Sequence, residues 1–162
     1  MINEKIEKAF NKQLNEEAKS AYLYMSMAAY FESINFKGFA SWMQKQASEE
    51  FKHTMKFYGH IMERGGKVRL AAIEAPQTEW ASPLAAFENA YKHELFITKN
   101  INDLVKLARD EQDNAAGVFL NWFVSEQVEE EASADEVVQK LKMIKDSTNG
   151  LFMLDSKLGK RK

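Results

Sequence analysis

The strongest constraint on the fold is the spacing of apolar residues, which recur every three or four positions through four long stretches of the chain. This spacing places an apolar stripe along one face of an α-helix. Only seven Gly and two Pro interrupt the 162 residues, and these are the residues that most often break helices. The sequence therefore predicts an all-α fold in which four long helices bury their stripes against one another.

Capping residues and breakers predict where each helix begins and ends. Asn3, Asn35 and Asp113 are expected to cap the first, second and fourth helices. Gly65 is expected to end the second helix, and Ser82 with Pro83 to start the third. The helices are predicted over about 3–33, 35–64, 83–111 and 113–145, and a short amphipathic helix over about 149–158 follows a break at 147–150. We expect residues 1–162 to form a single domain, with the bundle over about 3–145.

The segment from about residue 65 to residue 82 is predicted to be non-helical, since Pro76 lies within it. It is long enough to run the length of a bundle, so the second and third helices can be parallel. The basic residues at 160–162 are expected to form a solvated terminus.

Composition excludes several classes of function. The net charge of -2 argues against a surface for nucleic acid or for an anionic membrane. The absence of Cys excludes disulfides, thiolate metal sites and thiol catalysis. The N-terminus has no apolar signal core, and no uncharged run is long enough to span a bilayer, so we expect a cytoplasmic protein without a membrane partner.

A carboxylate and an imidazole interrupt the apolar stripe of the second helix. Glu50 and His53 are three residues apart, which places them one turn apart on one helix face. Burying an unpaired charge is very costly. A bound cation removes that cost, and Glu-x-x-His is a known way to present two ligands to a metal.

Each of the four long helices carries a carboxylate on its stripe, roughly eleven to seventeen residues from the start of the helix. In a bundle these side chains meet near mid-height, where either their pKa values rise steeply or a multivalent cation lies among them. Oxygen ligands with one imidazole suit iron or manganese, with zinc as a competitor, and the carboxylates suffice to bridge two metals. The four are Glu17, Glu50, Glu94 and Glu130.

Residues beside these carboxylates leave alternatives open. Gln127 is either a metal ligand or a residue that orients one by a hydrogen bond. Tyr24 lies on the same face as Glu17, and is either an ordinary core aromatic or a donor to a ligand carboxylate. The acidic run 129–131, with Glu126 and Glu49, is either a solvated face or a further, weaker cation site.

The chain resembles the bacterial non-haem ferritins over nearly its whole length. The resemblance is carried by the helix lengths, by the Glu-x-x-His of the second helix and by the run Trp-Phe-Val-Ser-Glu-Gln-Val-Glu-Glu-Glu at 122–131. It implies a ferritin-like four-helix bundle with a long crossover between the second and third helices and a short fifth, C-terminal helix. It also implies an iron-storage protein that oxidises Fe(II) with dioxygen or hydrogen peroxide, and stores the ferric mineral inside a hollow shell of twenty-four identical subunits.

The same resemblance implies roles for individual residues. It assigns one iron to Glu17, Glu50 and His53, and a second iron, bridged by Glu50, to Glu94 and Glu130. Tyr24 and Trp122 match aromatic residues that lie beside the centre in this family. The resemblance further implies a third iron site formed by Glu49, Glu126, Glu129 and Glu130.

Two departures separate the chain from related di-iron proteins. Many of them carry a second Glu-x-x-His, whereas the corresponding residues here are Gln127-Val128-Glu129-Glu130, with no His, which argues against a bacterioferritin or a di-iron oxygenase. Phe51 follows Glu50 where haem-binding bacterioferritins have Met, so no haem is expected. The rival interpretations are a peroxidase of the rubrerythrin kind, which needs an electron-transfer partner, and a structural bundle whose carboxylates are protonated.

Overall fold

The computed structural model describes residues 1–162 and consists of five α-helices joined by turns and one long connection. The predicted all-α fold is confirmed. None of the five helices has the length and unbroken apolarity needed to cross a membrane. The helices are α1 (Glu4–Ser33), α2 (Lys37–Glu63), α3 (Pro83–Asp110), α4 (Asn114–Ile144) and α5 (Thr148–Leu158).

The four long helices form a bundle in which α1 packs chiefly against α2, and α3 against α4. The Ile2 N–H donates to the Arg64 carbonyl, 2.9 Å away, so α1 and α2 are antiparallel. Asn3, at the start of α1, contacts Glu111, just after the end of α3. Tyr24, further along α1, contacts Glu94, which lies earlier in α3, so α1 and α3 are also antiparallel. Since both α2 and α3 run opposite to α1, they are parallel to each other, an arrangement that the length of the connection allows.

Three of the predicted helix caps are present. The side chains of Asn3, Ser82 and Asp113 each accept a hydrogen bond from a backbone N–H in the first turn of the helix that follows, at 2.8, 3.1 and 3.0 Å. Such bonds satisfy donors that have no partner inside the helix. Gly65, with φ 73°, ends α2 in the left-handed conformation that glycine adopts without strain.

The prediction that Asn35 caps α2 is wrong. Asn35 adopts φ 66°, and the N–H groups of Asn35 and Phe36 bond back to carbonyls in the last turn of α1 at 3.2 and 3.0 Å. The residue therefore ends α1 in a left-handed turn, a conformation that asparagine tolerates well. The cap of α2 comes from α5 instead, where Asp155 Oδ1 accepts from the Phe39 N–H at 2.9 Å.

The break before α5 is shorter than predicted. Lys145 has φ 48°, and Ser147 caps α5 by accepting from the Gly150 N–H at 3.1 Å. Residues 148–150, predicted to interrupt the helix, are its first turn, because the capping serine satisfies that turn. The fifth helix then packs closely on α2: a Cβ at Gly38 would collide with the Asp155 carbonyl, so this position requires glycine.

The connection over residues 65–82 is held along α1 by two asparagines. Asn11 donates to the Lys67 carbonyl at 2.8 Å and accepts from the Arg69 N–H at 2.6 Å. One turn further along α1, Asn15 donates to the Arg69 carbonyl at 2.9 Å and accepts from the Ala71 N–H at 2.8 Å. Each amide side chain thus pairs with the crossover as a neighbouring strand would, which satisfies its backbone groups without a sheet.

The apolar core consists of two clusters, one on each side of a polar layer at mid-height. One cluster fills the end of the bundle that contains the start of α2 and also packs α5. The other fills the opposite end, where α1 begins and α2 ends. The two clusters isolate the polar layer from solvent along the bundle axis, and that layer is the candidate site.

Candidate metal centre

The polar layer contains seven side chains from all four long helices, each no more than 5% exposed. Each lies where the helical stripe passes mid-height, so the convergence of the four carboxylates predicted from the sequence is present. Buried carboxylates at this density require protons or cations among them. The seven are Glu17, Gln46, Glu50, His53, Glu94, Gln127 and Glu130.

Three of these residues form a first potential ligand group. One ligand atom each of Glu17, Glu50 and His53 lies within 4.8 Å of the others. His53 Nδ1 is 3.3 Å from Glu50 Oε2 and 3.7 Å from Glu17 Oε2. Glu17 Oε2 and His53 Nδ1 are buried without a hydrogen-bond partner, which is costly unless something else satisfies them. Both atoms belong to the same group, so a cation bound there would satisfy them together.

A second group shares a residue with the first. Ligand atoms of Glu50, Glu94 and Glu130 also lie within 4.8 Å of one another, so Glu50 belongs to both groups and is placed to bridge two ions. The Tyr24 hydroxyl donates to Glu94 Oε1. The Gln127 amide nitrogen donates to Glu94 Oε2 at 3.2 Å. These two bonds fix the orientation of Glu94.

Burial controls the protonation of the carboxylates. It raises the pKa of Glu50 well above the ordinary value. For Glu94, burial raises the pKa to about 7 although the bonds from Tyr24 and Gln127 oppose the rise. For Glu130, burial and the nearby Glu94 charge raise the pKa to about 8. In the metal-free state the centre therefore retains protons near neutral pH.

The pKa of His53 shifts in the opposite direction to that of most buried imidazoles. Burial by itself lowers the pKa of His53, but the Glu17 and Glu50 carboxylates outweigh burial and raise this pKa to about 11. The imidazolium thus neutralises part of the acidic cluster when no metal is bound. Because a metal ligand must be neutral imidazole, a metal that binds His53 displaces this proton.

On the outer side of the centre, ligand atoms of His53, Glu126 and Glu130 form a third group within 4.8 Å of one another. His53 Nε2 lies 3.7 Å from Glu126 Oε1, and the Trp122 ring packs edge-on against the imidazole, with centroids 5.3 Å apart. Of the residues named for a third iron site, Glu126 and Glu130 belong to this group, and the Glu49 charge is near enough to help raise the pKa of Glu130. Glu129 is exposed and lies outside this group.

Glu49, the remaining residue named for the third site, bonds the C-terminal tail. Arg161 Nη2 donates to Glu49 Oε2 at 2.8 Å, and Arg161 Nη1 donates to Gln46 Oε1 at 3.0 Å. The guanidinium also lies 4.6 Å from the centroid of the Trp42 ring. The expectation of a solvated basic tail is therefore wrong for Arg161, because packing of α5 on α2 carries the end of the chain back to the bundle.

Two glutamines that were not singled out from the sequence hold the carboxylates. Gln46 Nε2 donates to Glu50 Oε1 at 3.2 Å and also to Glu130 Oε2. Gln13 Nε2 donates to Glu17 Oε1 at 2.8 Å. Each glutamine precedes a carboxylate of the cluster by four residues, so its position on the same helix face was a usable signal. Nothing in the sequence indicated Arg161.

Comparisons with known proteins agree with this geometry. A family model for the ferritin-like domain matches residues 7–144. The chain is 44% identical over 161 residues to a bacterial non-heme ferritin of Bacteroides fragilis, covering 99% of this chain and all of the relative. It is 37% identical over 161 residues to a bacterial non-heme ferritin of Staphylococcus aureus, covering 99% of this chain and 97% of the relative.

Among solved structures, an open-pore ferritin from the hyperthermophilic archaeon Archaeoglobus fulgidus superposes with a TM-score of 0.98 at 52% identity, covering 99% of this chain and 98% of that one. A form of the Archaeoglobus fulgidus ferritin engineered to be closed gives a TM-score of 0.99 at 51% identity, covering 100% and 99%. The likeness thus extends over sequence, fold and the whole length of the chain, and the chain belongs to the ferritin family.

Proposed function

We propose that this chain is an iron-storage protein with ferroxidase activity, in which Fe(II) is a substrate that binds at the buried carboxylate and histidine centre. Electrons pass from iron to dioxygen or hydrogen peroxide, and Fe(III) is stored as a mineral inside a hollow cytoplasmic shell of twenty-four subunits. The observation that carries the proposal is the shared Glu50, which belongs to two adjacent three-residue groups in one dry layer.

In this proposal Glu17, Glu50 and His53 hold one ferrous ion, while Glu50, Glu94 and Glu130 hold the next. Two adjacent ferrous ions supply together the two electrons that reduce dioxygen to hydrogen peroxide, or hydrogen peroxide to water. Hard anionic oxygen ligands favour the ferric over the ferrous state, which assists the loss of electrons.

The surrounding residues have positioning roles. Tyr24 and Gln127 hold Glu94 through hydrogen bonds, and Gln46 holds Glu50 and Glu130. The second group consists of carboxylates alone, without an imidazole, and should hold its ion more loosely than the first group, which suits iron that must move on to the mineral. We assign the outer residues Glu49, Glu126, Glu129 and Glu130 to that transit, as the family resemblance implies.

The relatives support the storage role, since the sequence relatives are named bacterial non-heme ferritins and match nearly end to end. Association with other subunits is supported by large apolar side chains exposed on the surface of the isolated chain, since contiguous exposed apolar surface typically marks a protein contact. These side chains include Met25, Leu70, Phe152 and Met153.

Aerobic titration with Fe(II) tests the centre. We expect His53→Ala or Glu50→Ala to slow the initial rate of ferric formation by well over tenfold, because each removes a ligand of the first group, while circular dichroism remains helical. Lys52→Ala is the matched control, since Lys52 is exposed and lies between Glu50 and His53 in the sequence. Initial rates unchanged in both ligand variants would refute the assignment. Turnover that requires an added reductant would instead indicate a peroxidase.

A further inference from the structure

The C-terminal Arg161 lies against the outer side of the metal centre. Its guanidinium donates to the Glu49 carboxylate at 2.8 Å and to Gln46 Oε1 at 3.0 Å. The other end of the Gln46 amide donates to Glu50 and Glu130. A single cation from the tail is therefore one hydrogen-bonded residue away from carboxylates of the buried centre.

Several contacts of α5 and of the C-terminal turn fix the position of this guanidinium. The Asp155 carboxylate caps α2, which anchors α5 to the start of that helix. The Arg161 N–H continues the C-terminal turn by donating to the Leu158 carbonyl at 3.2 Å. The side chain then lies over the Trp42 ring, an arrangement that favours a guanidinium over an ammonium. The Arg161 side chain is only 22% exposed, in contrast to the exposed Lys160 and Lys162.

We propose that Arg161 is a tethered cation that competes with a metal ion for Glu49 at the outer side of the centre. The proposal rests on the proposed function, because it takes the outer acidic residues as a transit site for iron. A metal ion that uses Glu49 has to displace the guanidinium, and displacement also frees Gln46 Oε1. An ion that binds Glu49 thus replaces the charge that the tail already supplies.

Competition of this kind predicts a selective gain in affinity when the charge is removed. The Arg161–Glu49 pair is partly exposed, at 22% and 35%, so its contribution is modest. We expect Arg161→Gln to tighten metal binding at the outer site by roughly three- to tenfold. Arg161→Lys keeps the charge but loses the planar guanidinium, so its metal affinity at the outer site should lie between those of the wild type and the glutamine variant.

The test is an anaerobic calorimetric titration of the assembled, metal-free protein with Zn(II), which binds the same ligand types without oxidation. Lys160→Gln is the matched control, since it removes the same charge from the neighbouring exposed residue. We expect the Zn(II) affinity of the weaker class of sites to increase in Arg161→Gln but not in Lys160→Gln. The Zn(II) affinity of the tighter class should be unchanged in both variants.

Equal effects in the two variants, or an unchanged weaker class in Arg161→Gln, would overturn the competition while leaving the proposed function intact. Zn(II) that fails to bind the tighter class in the wild-type protein would overturn both the proposed function and this inference. Circular dichroism and gel filtration verify that each variant is folded and assembled.

Discussion

Loading the buried centre with metal should release protons, because the metal-free cluster holds protons where a metal would bind. At pH 7 an imidazole with a pKa of about 11 is fully protonated, a carboxyl with a pKa of about 8 is roughly nine-tenths protonated, and one with a pKa of about 7 is about half protonated. These groups are His53, Glu130 and Glu94. Filling both groups should therefore release at least roughly two protons per subunit at pH 7.

The number of protons released on metal binding should also depend on pH. At pH 9 the Glu94 and Glu130 carboxyls have lost their protons, while His53 still holds its own. The release contributed by these three groups should then fall to roughly one proton per subunit. Anaerobic Fe(II) titrations in two buffers of different ionisation enthalpy measure the number directly, since the buffer heat scales with the protons transferred.

Two variants sharpen the experiment. His53→Ala should lower the release at pH 9, because the imidazolium is the main source of protons there. Glu74→Gln, an exposed residue of the crossover, is the control and should leave the release unchanged. Tight Fe(II) binding with less than half a proton released at pH 7 would refute the conclusion that protons neutralise the metal-free cluster.

Three further predictions concern stability and the support of the centre. The apparent melting temperature of the metal-free protein should fall between pH 5 and pH 8, because a pKa of about 8 for Glu130 in the folded state, against 4.5 unfolded, means that folding retains a proton that the unfolded chain has lost. Glu130→Gln should flatten this dependence in calorimetric scans, and an unchanged slope would contradict it. Asn11→Leu should lower stability by about 1–3 kcal/mol in denaturant unfolding, because it leaves two backbone groups of the crossover unpaired; an unaffected midpoint would show that water replaces the asparagine. Tyr24→Phe removes the hydroxyl donor to Glu94 and should weaken metal binding at the second group roughly tenfold, as measured by calorimetry, whereas wild-type affinity would exclude a positioning role.

Much of this architecture follows from local properties of the chain. The phase of each stripe and the distance of each carboxylate from its helix start are set within a single helix, so the meeting of Glu17, Glu50, Glu94 and Glu130 at one height was predictable. The length of the connection between α2 and α3 also allowed for the parallel arrangement that these two helices adopt.

The errors came from contacts between residues distant in sequence. Asn35 has the side chain of a helix cap, but Asp155, more than a hundred positions away, takes that role and leaves Asn35 to end α1. Arg161 has the appearance of a solvated tail residue until α5 carries it onto Glu49 and Trp42. Sequence spacing carries no information on which carboxylate a returning terminus will reach.

A crystal of the assembled protein soaked anaerobically in a ferrous salt, measured by anomalous scattering at the iron edge, locates the bound ions without reference to activity. We expect two adjacent peaks in the polar layer, one among Glu17, Glu50 and His53 and one among Glu50, Glu94 and Glu130. Iron found only on the outer surface, or an empty polar layer at saturating ferrous ion, would contradict the conclusion that four helices bring these carboxylates together to bind a pair of iron ions.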